Sequence, residues 1–292
     1  MKTGICYIVG AGENYGLDIR PKAGDFVIGV DAGYRLLEEK KIDIDLAIGD
    51  FDTLRYIPSH PNVIVLKPEK DDTDMLAAVR EGIHAGYERF FIYCGTGGRT
   101  EHTIANLQLL ADMAEKGKEG FLFDRHSVIT AITNTTLKFP GGLSGYVSVF
   151  SHTDRSEGVY LEGLKYKLTN AVLRNSYPLG ISNEFIGEES SVSVRNGTLL
   201  IIFPRGIPLP ERWTENNKVD SGYGHEQAAD MVQAADVEAI VALLDGCTQA
   251  EDSRIQVNVV EGDGKTVSRQ YHHGRCDIGS PWACGTAFDV LE

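Results

Sequence analysis

The chain has 292 residues, 42% of them hydrophobic and 24% charged, with a formal net charge of −14. That length suits two domains with sizeable cores and the composition is that of a soluble globular protein, while the acidic balance argues against a nucleic-acid or anionic-membrane surface, since both need clustered Lys and Arg. No apolar run approaches the roughly 20 residues of a membrane span, and five cysteines, an odd number without framework spacing, suit a reducing cytoplasm.

The opening, Ile5-Cys6-Tyr7-Ile8-Val9-Gly10, is a strand, too short and too soon glycine-rich for a signal peptide. Further short apolar runs fall at 26–30, 46–48, 63–66, 89–93 and 120–123. Between them lie helical patterns from Ala32 to Lys41, Thr73 to Ala85 and Glu101 to Lys116, the last with Ile104, Leu107, Leu110 and Met113 at helical spacing. Strands alternating with helices predict a mostly parallel sheet covered on both faces, with ligands outside the carboxyl ends of its strands.

The first loop at such an end, Gly10-Ala11-Gly12-Glu13-Asn14-Tyr15-Gly16, looks like a dinucleotide fingerprint, and Asp31 stands where a ribose-binding acid belongs. Its third glycine comes late, and Pro21 interrupts any long helix after it. The loop is therefore expected to admit a phosphate or ribose, with a nicotinamide-dependent oxidoreductase as the lesser alternative. After the next strands come Gly49-Asp50-Phe51-Asp52-Thr53 and Lys70-Asp71-Asp72-Thr73-Asp74. Carboxylates crowded at two strand ends suit a hard cation, and Mg²⁺ binds one or two of them while sharing its shell with substrate phosphates. Asp50, Asp52, Asp72 and Asp74 are the expected metal-binding and catalytic acids, with Asp71 in support. The alternative is first-turn acids that complement a helix dipole. Lys67 and Lys70 either neutralise phosphates or balance these acids.

The next such loop is Cys94-Gly95-Thr96-Gly97-Gly98-Arg99-Thr100-Glu101-His102, leading into a helix. Gly97 and Gly98 let amides approach an anion at a helix N-terminus, and Arg99 can fork onto phosphate oxygens. His102 and Asn106 share a helix face near the same opening. Cys94 is expected to be a small buried apolar residue.

From about Asn134 the helical pattern stops. Short alternating runs at 146–150, 159–161, 171–173, 192–194 and 199–203 predict an all-β sandwich, with Asn196-Gly197 as a hairpin signal. Pro208-Leu209-Pro210 and Thr214 to Lys218 read as a linker. Residues 208–292 hold 6 Lys and Arg against 15 Asp and Glu, hence −9 of the −14. There, Asp236 to Leu244 reads as an amphipathic helix and Ile255 to Val260 as a strand. His272, His273, Cys276 and Cys284 could bind zinc, though their spacing fits no standard finger. Trp213 reads as a linker anchor or a ligand-stacking ring.

Gly49-Asp50-Phe51-Asp52-Thr53, Lys70-Asp71-Asp72-Thr73-Asp74 and Gly97-Gly98-Arg99-Thr100-Glu101-His102 with Ala105-Asn106 resemble, in order and spacing, three motifs of the thiamine pyrophosphokinase family. Two positions depart from it: Thr53 where the family usually has Ser, and Glu101 where it usually has Asp before the His. Gly163-Leu164-Lys165-Tyr166 and Gly180-Ile181-Ser182-Asn183-Glu184 resemble the family's smaller β domain, so the likeness spans about residues 4–205. It implies an α/β chain: a three-layer, mostly parallel N-terminal domain (1–133) that binds ATP, then an all-β sandwich (134–207) that binds thiamine. An acidic C-terminal extension (208–292), α+β or partly disordered, follows. It further implies a cytoplasmic homodimer with its active site at the interface. Asp31, Lys70, Asp71, Thr73, Gly97, Gly98, His102 and Asn106 would serve the nucleotide, and Ser182 and Asn183 the thiamine aminopyrimidine. A thiamine- or nucleotide-sensing protein without turnover is the alternative that Glu101 and the tail suggest.

Overall fold

Six runs of Ile, Val, Phe and Leu form neighbouring parallel strands, because a strand covered on both faces has no polar side to present. In a computed structural model, which describes residues 2–67, 69, 72–213, 254–260 and 266–272, they are β1 (Ile5–Val9), β2 (Phe26–Val30), β3 (Leu46–Gly49), β4 (Val63–Val65), β5 (Arg89–Tyr93) and β6 (Glu119–Phe123). Three helices interleave with them: α1 (Gly33–Glu39), α2 (Asp74–His84) and α3 (Thr100–Glu115). Then come β7 (Ser127–Thr133), β8 (Thr136–Phe139), β9 (Ser144–Ser151), β10 (Arg155–Glu162), β11 (Leu168–Arg174), β12 (Gly180–Ile186), β13 (Ser190–Ser193), β14 (Thr198–Pro204) and β15 (Glu211–Trp213).

The strands assemble as one ten-stranded sheet, ordered β12-β9-β14-β7-β6-β5-β1-β2-β3-β4, and a five-stranded sheet, β11-β10-β13-β8-β15. All pairings from β4 to β6 are parallel, and the ladder turns antiparallel at β6–β7. Side-chain alternation divides the large sheet's residues between its two faces. On one face, Ile8, Ile28, Ile92, Leu122 and Ile129 pack against Met75 and Val79 of α2 and Leu110 and Met113 of α3. On the other, Tyr7, Val9 and Val27 pack against Leu37 of α1. On that same face, farther along, Phe121, Val128, Ile132 and Ile201 pack against Val159, Leu161 and Val192 of the small sheet. The sandwich thus shares one of its two sheets with the α/β layer, and its core is continuous with strands that precede Asn134.

Several expectations change. No helix lies between β1 and β2, so the fingerprint reading of Gly10–Gly16, and with it the nicotinamide alternative, loses the helix N-terminus it requires. Asn196-Gly197 joins β13 and β14, which lie in different sheets, so it turns a sandwich corner rather than a hairpin. Asn134 stands at the other crossing and pins it: its amide donates to Gly197 O at 3.3 Å and its Oδ1 accepts from the Gly197 amide at 2.9 Å. Pro208–Pro210 leads into β15, which pairs with β8. In the tail, β16 (Arg254–Val260) pairs antiparallel with β17 (Thr266–His272), so the predicted strand is there. The predicted helix at 236–244, the linker at 214–218, the side chain of Trp213 and the His272, His273, Cys276 and Cys284 group lie outside the described residues and side chains. Among the described residues no helix is long and apolar enough to cross a membrane.

Candidate active site

Strand order brings the first acids together. β2 and β3 are neighbours, so Asp31, directly after β2, and Asp50, directly after β3, leave adjacent strand ends. One carboxylate oxygen from each of Asp31, Asp50 and Asp52 lies within 4.8 Å of the others. Two residues here hold left-handed backbone angles, Asp31 at φ 47° and Phe51 at φ 57°. Asp tolerates that region and Phe does not. The Phe51 ring is buried with Tyr34, Ala47 and Leu54, and that burial offsets the strain while the flanking acids stay at the surface. The fit is tight behind them as well, since a Cβ on Gly49 would lie 3.1 Å from the Asp31 amide nitrogen.

Electrostatically the cluster is unbalanced. Burial pushes the Asp31 carboxyl above its usual range, and the charges of Asp52 and Asp50 push it up further. Asp31 Oδ1 is buried with no hydrogen-bond partner. Thr53 Oγ1 donates to Asp52 Oδ1 at 3.0 Å, and the Asp52 amide donates to Asp50 Oδ1 at 3.3 Å. Three converging carboxylates, one with a buried unsatisfied oxygen, are a donor set that fits a hard divalent cation.

The second acidic motif opens α2 at the same edge of the sheet. The Leu66 amide donates to Gly49 O at 2.8 Å, and the Met75 methyl occupies the space that a Cβ on Gly10 would need. Thr73 is the helix N-cap, its hydroxyl accepting from the Leu76 amide at 3.2 Å, which is the ordinary work of a capping Thr. Asp74 stands in the first turn, and Asp72 is ion-paired with Arg80. Lys67 is exposed. Lys70 and Asp71 lie outside the described residues.

The third motif fills the space between β5 and α3. Gly97 and Gly98 have φ of 79° and 62°. A Cβ on Gly97 would collide with Tyr15 Oη at 2.6 Å and Glu13 Cγ at 2.8 Å, whereas Gly98 faces open space. Arg99 Nε donates to Glu101 Oε1 at 2.8 Å, both side chains being largely exposed; this contact holds the Glu101 carboxyl below its usual range. His102 is exposed on the same turn. Asn106 lies one turn further along α3. It is buried, and its Nδ2 donates to Gly95 O at 2.6 Å, so it anchors the loop from behind. Cys94 is buried with Tyr93 and Val9, and burial pushes its thiol up to about 11, so it stays neutral and packs as a small apolar group.

In the sandwich, a register shift between Gly180 and Asn183 turns Ser182 outward, with φ 56°. Its amide donates to Ser148 Oγ at 3.0 Å. Asn183 is buried, and both ends of its amide are engaged: Nδ2 donates to Tyr166 O at 2.7 Å, and Oδ1 accepts from the Tyr166 and Glu184 amides, each at 2.9 Å. Asn183 therefore fixes the Tyr166 backbone beside the exposed Ser182. Two arginines escaped the sequence reading, Arg80 on Asp72 and Arg205, which binds the loop after β1. Neither belongs to a motif: Arg80 lies along α2 from the second one, and only the fold brings Arg205 to the loop after β1.

Two family models match the chain: one described as thiamin pyrophosphokinase, catalytic domain, over residues 21–122, and one as thiamin pyrophosphokinase, vitamin B1 binding domain, over 134–199. A thiamine pyrophosphokinase of Bacillus subtilis (strain 168) is 30% identical over 190 residues, which is 60% of this chain and 85% of that protein. A crystal structure of thiamine pyrophosphokinase from Bacillus subtilis superposes with a TM-score of 0.60 at 25% identity, covering 68% of this chain and 98% of the other. That of a thiamin pyrophosphokinase family protein from Enterococcus faecalis gives 0.60 at 29% identity, over 68% and 98% of the two chains.

Proposed function

The chain belongs to the thiamin pyrophosphokinase family, and from that premise we propose that it transfers the pyrophosphoryl group of ATP to the hydroxyethyl oxygen of thiamine, giving thiamine diphosphate and AMP. The observation that carries the site is the Asp31–Asp50–Asp52 cluster, with its buried unsatisfied oxygen, at the carboxyl edge of the parallel sheet. Asp50 and Asp52, with Asp31 beside them, would hold Mg²⁺, and Asp72 and Asp74, which open α2 outside that cluster, would reach it through the bound triphosphate complex. When bound, Mg²⁺ supplies charge that neutralises and orients phosphate oxygens. Arg99 leaves its exposed contact with Glu101 for the triphosphate, and the Gly97-Gly98 backbone receives the transferring group. The bond that forms joins the thiamine hydroxyl oxygen to the β-phosphorus. The bond that breaks joins that phosphorus to the oxygen bridging it to the α-phosphate, which departs with AMP. A carboxylate of the cluster takes the alcohol's proton, and positioning supplies much of the remaining acceleration.

Residues 1–133 are the proposed nucleotide-binding catalytic region and 134–207 the thiamine-binding region, with Ser182 at the pocket and Asn183 supporting it. The reducing cytoplasm is the proposed compartment, in keeping with the free buried thiols of Cys6 and Cys94. Incubating the purified chain with ATP, Mg²⁺ and thiamine is expected to yield AMP in step with thiamine diphosphate. Ligand-induced stabilisation with no thiamine-dependent AMP would favour the sensing alternative instead.

The partner is proposed to be a second copy of the chain. α3 lies over β6, β7 and β14, and among the described residues no helix covers the same face of β9 and β12. Tyr146 and Ile186 on those strands are 66% and 46% exposed, and grouped exposed apolar side chains of this kind mark association surfaces. Light scattering is expected to give a dimer for the wild type and a monomer for Tyr146→Glu combined with Ile186→Glu. A wild-type monomer, or a dimer that survives both changes, would remove this surface from the account.

A further inference from the structure

The segment after β1 is a long irregular stretch at the mouth of the site, and its first part is fastened to the loop after β5. The Gly10, Gly12 and Glu13 amides donate to Tyr93 O, Cys94 O and Thr96 O at 2.9, 2.8 and 3.0 Å. The two loops therefore run side by side, and Tyr15 Oη and the Glu13 side chain rest against Gly97. Farther on, from residue 14 to β2, there is neither helix nor strand; Arg125 stacks over the Tyr15 ring and Ile19 is buried, and a side chain 190 residues away binds the backbone of residues 15 and 16.

That side chain is Arg205, the first residue after β14. Its Nη1 donates to Tyr15 O at 3.1 Å and to Asp124 O at 3.0 Å, and its Nη2 donates to Gly16 O at 2.7 Å and to Asp18 Oδ2 at 2.9 Å. Its own amide donates to His126 O at 3.0 Å. The side chain is 14% exposed, against 82% for Asp18, so the three carbonyls matter more than the ion pair, which water screens. A planar fork can serve four acceptors at once, and a lysine ammonium cannot reproduce that geometry.

We propose that Arg205 is a positioning residue for the nucleotide: by clamping Tyr15 and Gly16 it holds the first loop against Gly97, and so sets the posture of the Gly97–Arg99 loop that receives the phosphates. The proposal rests on the functional reading above. It also gives the last strand of the thiamine-binding region a hand in the ATP site.

The test measures both substrates in Arg205→Ala and Arg205→Lys, together with MgATP binding by calorimetry, which reads the proposal even if no turnover is detected. The expected result is a KM and Kd for MgATP raised about tenfold or more, with the KM for thiamine within about twofold of wild type. Arg205→Lys keeps the stem and the charge, so it folds, yet it is expected to share the defect because it cannot fork. Low millimolar guanidinium should restore ATP affinity to Arg205→Ala, and methylammonium should not. Unchanged ATP affinity in both variants would overturn the proposal, as would equal losses for ATP and thiamine that guanidinium fails to rescue. Absence of thiamine-dependent AMP from the wild type would instead count against the functional reading, with the binding result standing by itself.

Discussion

Asp50→Asn is expected to lower kcat/KM for thiamine diphosphate formation by at least about 10³-fold, or about 4 kcal/mol of transition-state stabilisation. Asp50 is the member of the cluster that both leaves a strand end and accepts the Asp52 amide, so its loss disturbs two proposed ligands. The amide keeps the shape and the hydrogen bond while removing the charge, which separates chemistry from folding. With no metal present, the three acids repel, and Asp31 is already pushed toward its protonated form. The metal-free variant should therefore melt at or slightly above the wild-type temperature, while needing more Mg²⁺ for whatever activity it retains. Thiamine-dependent AMP release, measured across a Mg²⁺ titration, reads both effects. Activity within tenfold of wild type at low Mg²⁺ would take Asp50 out of the metal site.

The largest expected effect on stability comes from Gly33→Ala, where two principles give opposite signs. Gly33 opens α1, and helix propensity alone would make alanine stabilising by up to about 1 kcal/mol. However, a Cβ there would lie 2.0 Å from Val9 O, the end of the central strand β1, and 2.6 Å from Gly10 O, whose residue is tied to Tyr93 O, so neither backbone atom is free to yield. The clash wins, and the expected cost is about 3 kcal/mol or more. Because Gly33 follows Asp31 by two residues, activity should fall with stability. Gly98→Ala is the contrast. Nothing lies within 4 Å of its Cβ position, and its left-handed φ of 62° predicts a cost of only about 1 kcal/mol. Urea midpoints of the two variants decide the matter, and a Gly33→Ala penalty below that of Gly98→Ala would refute the packing argument.

The parallel strands and the three helices were legible because local pattern determines them. Thr73 caps α2 as its position predicts, and β1 to β6 are short apolar runs. β7 escaped notice because the turn from β6, at Asp124-Arg125-His126, contains no glycine, proline or Asn-Gly to punctuate it. Asn196-Gly197 misled for the converse reason. Turn chemistry is local and pairing is not, so the same dipeptide serves a hairpin or a crossing between sheets. The site divides in the same way. Asp50 and Asp52 are neighbours in sequence, but Asp31 joins them only because β2 lies beside β3, a proximity that no spacing announces. Motif position makes Asn106 and Asn183 expected ligand contacts, and nothing in the pattern announces that both are also buried. Their burial and hydrogen bonds place them behind the surface, as supports of the residues that face the opening.

The unbroken run of ten strands has a consequence for how such an enzyme works and how it can be divided. Many phosphate-transferring enzymes bend at a linker and shut one lobe upon another. Here the backbone ladder passes from β6 to β7 and on to β14 and β9, so bending at that seam would tear hydrogen bonds along whole strands. Shielding of the reactants from bulk water must then fall to the surface loops or to a neighbouring copy. Nor are the two halves interchangeable cassettes, since severing the chain at Asn134 would strip β7 of β14 and leave a raw, aggregation-prone edge.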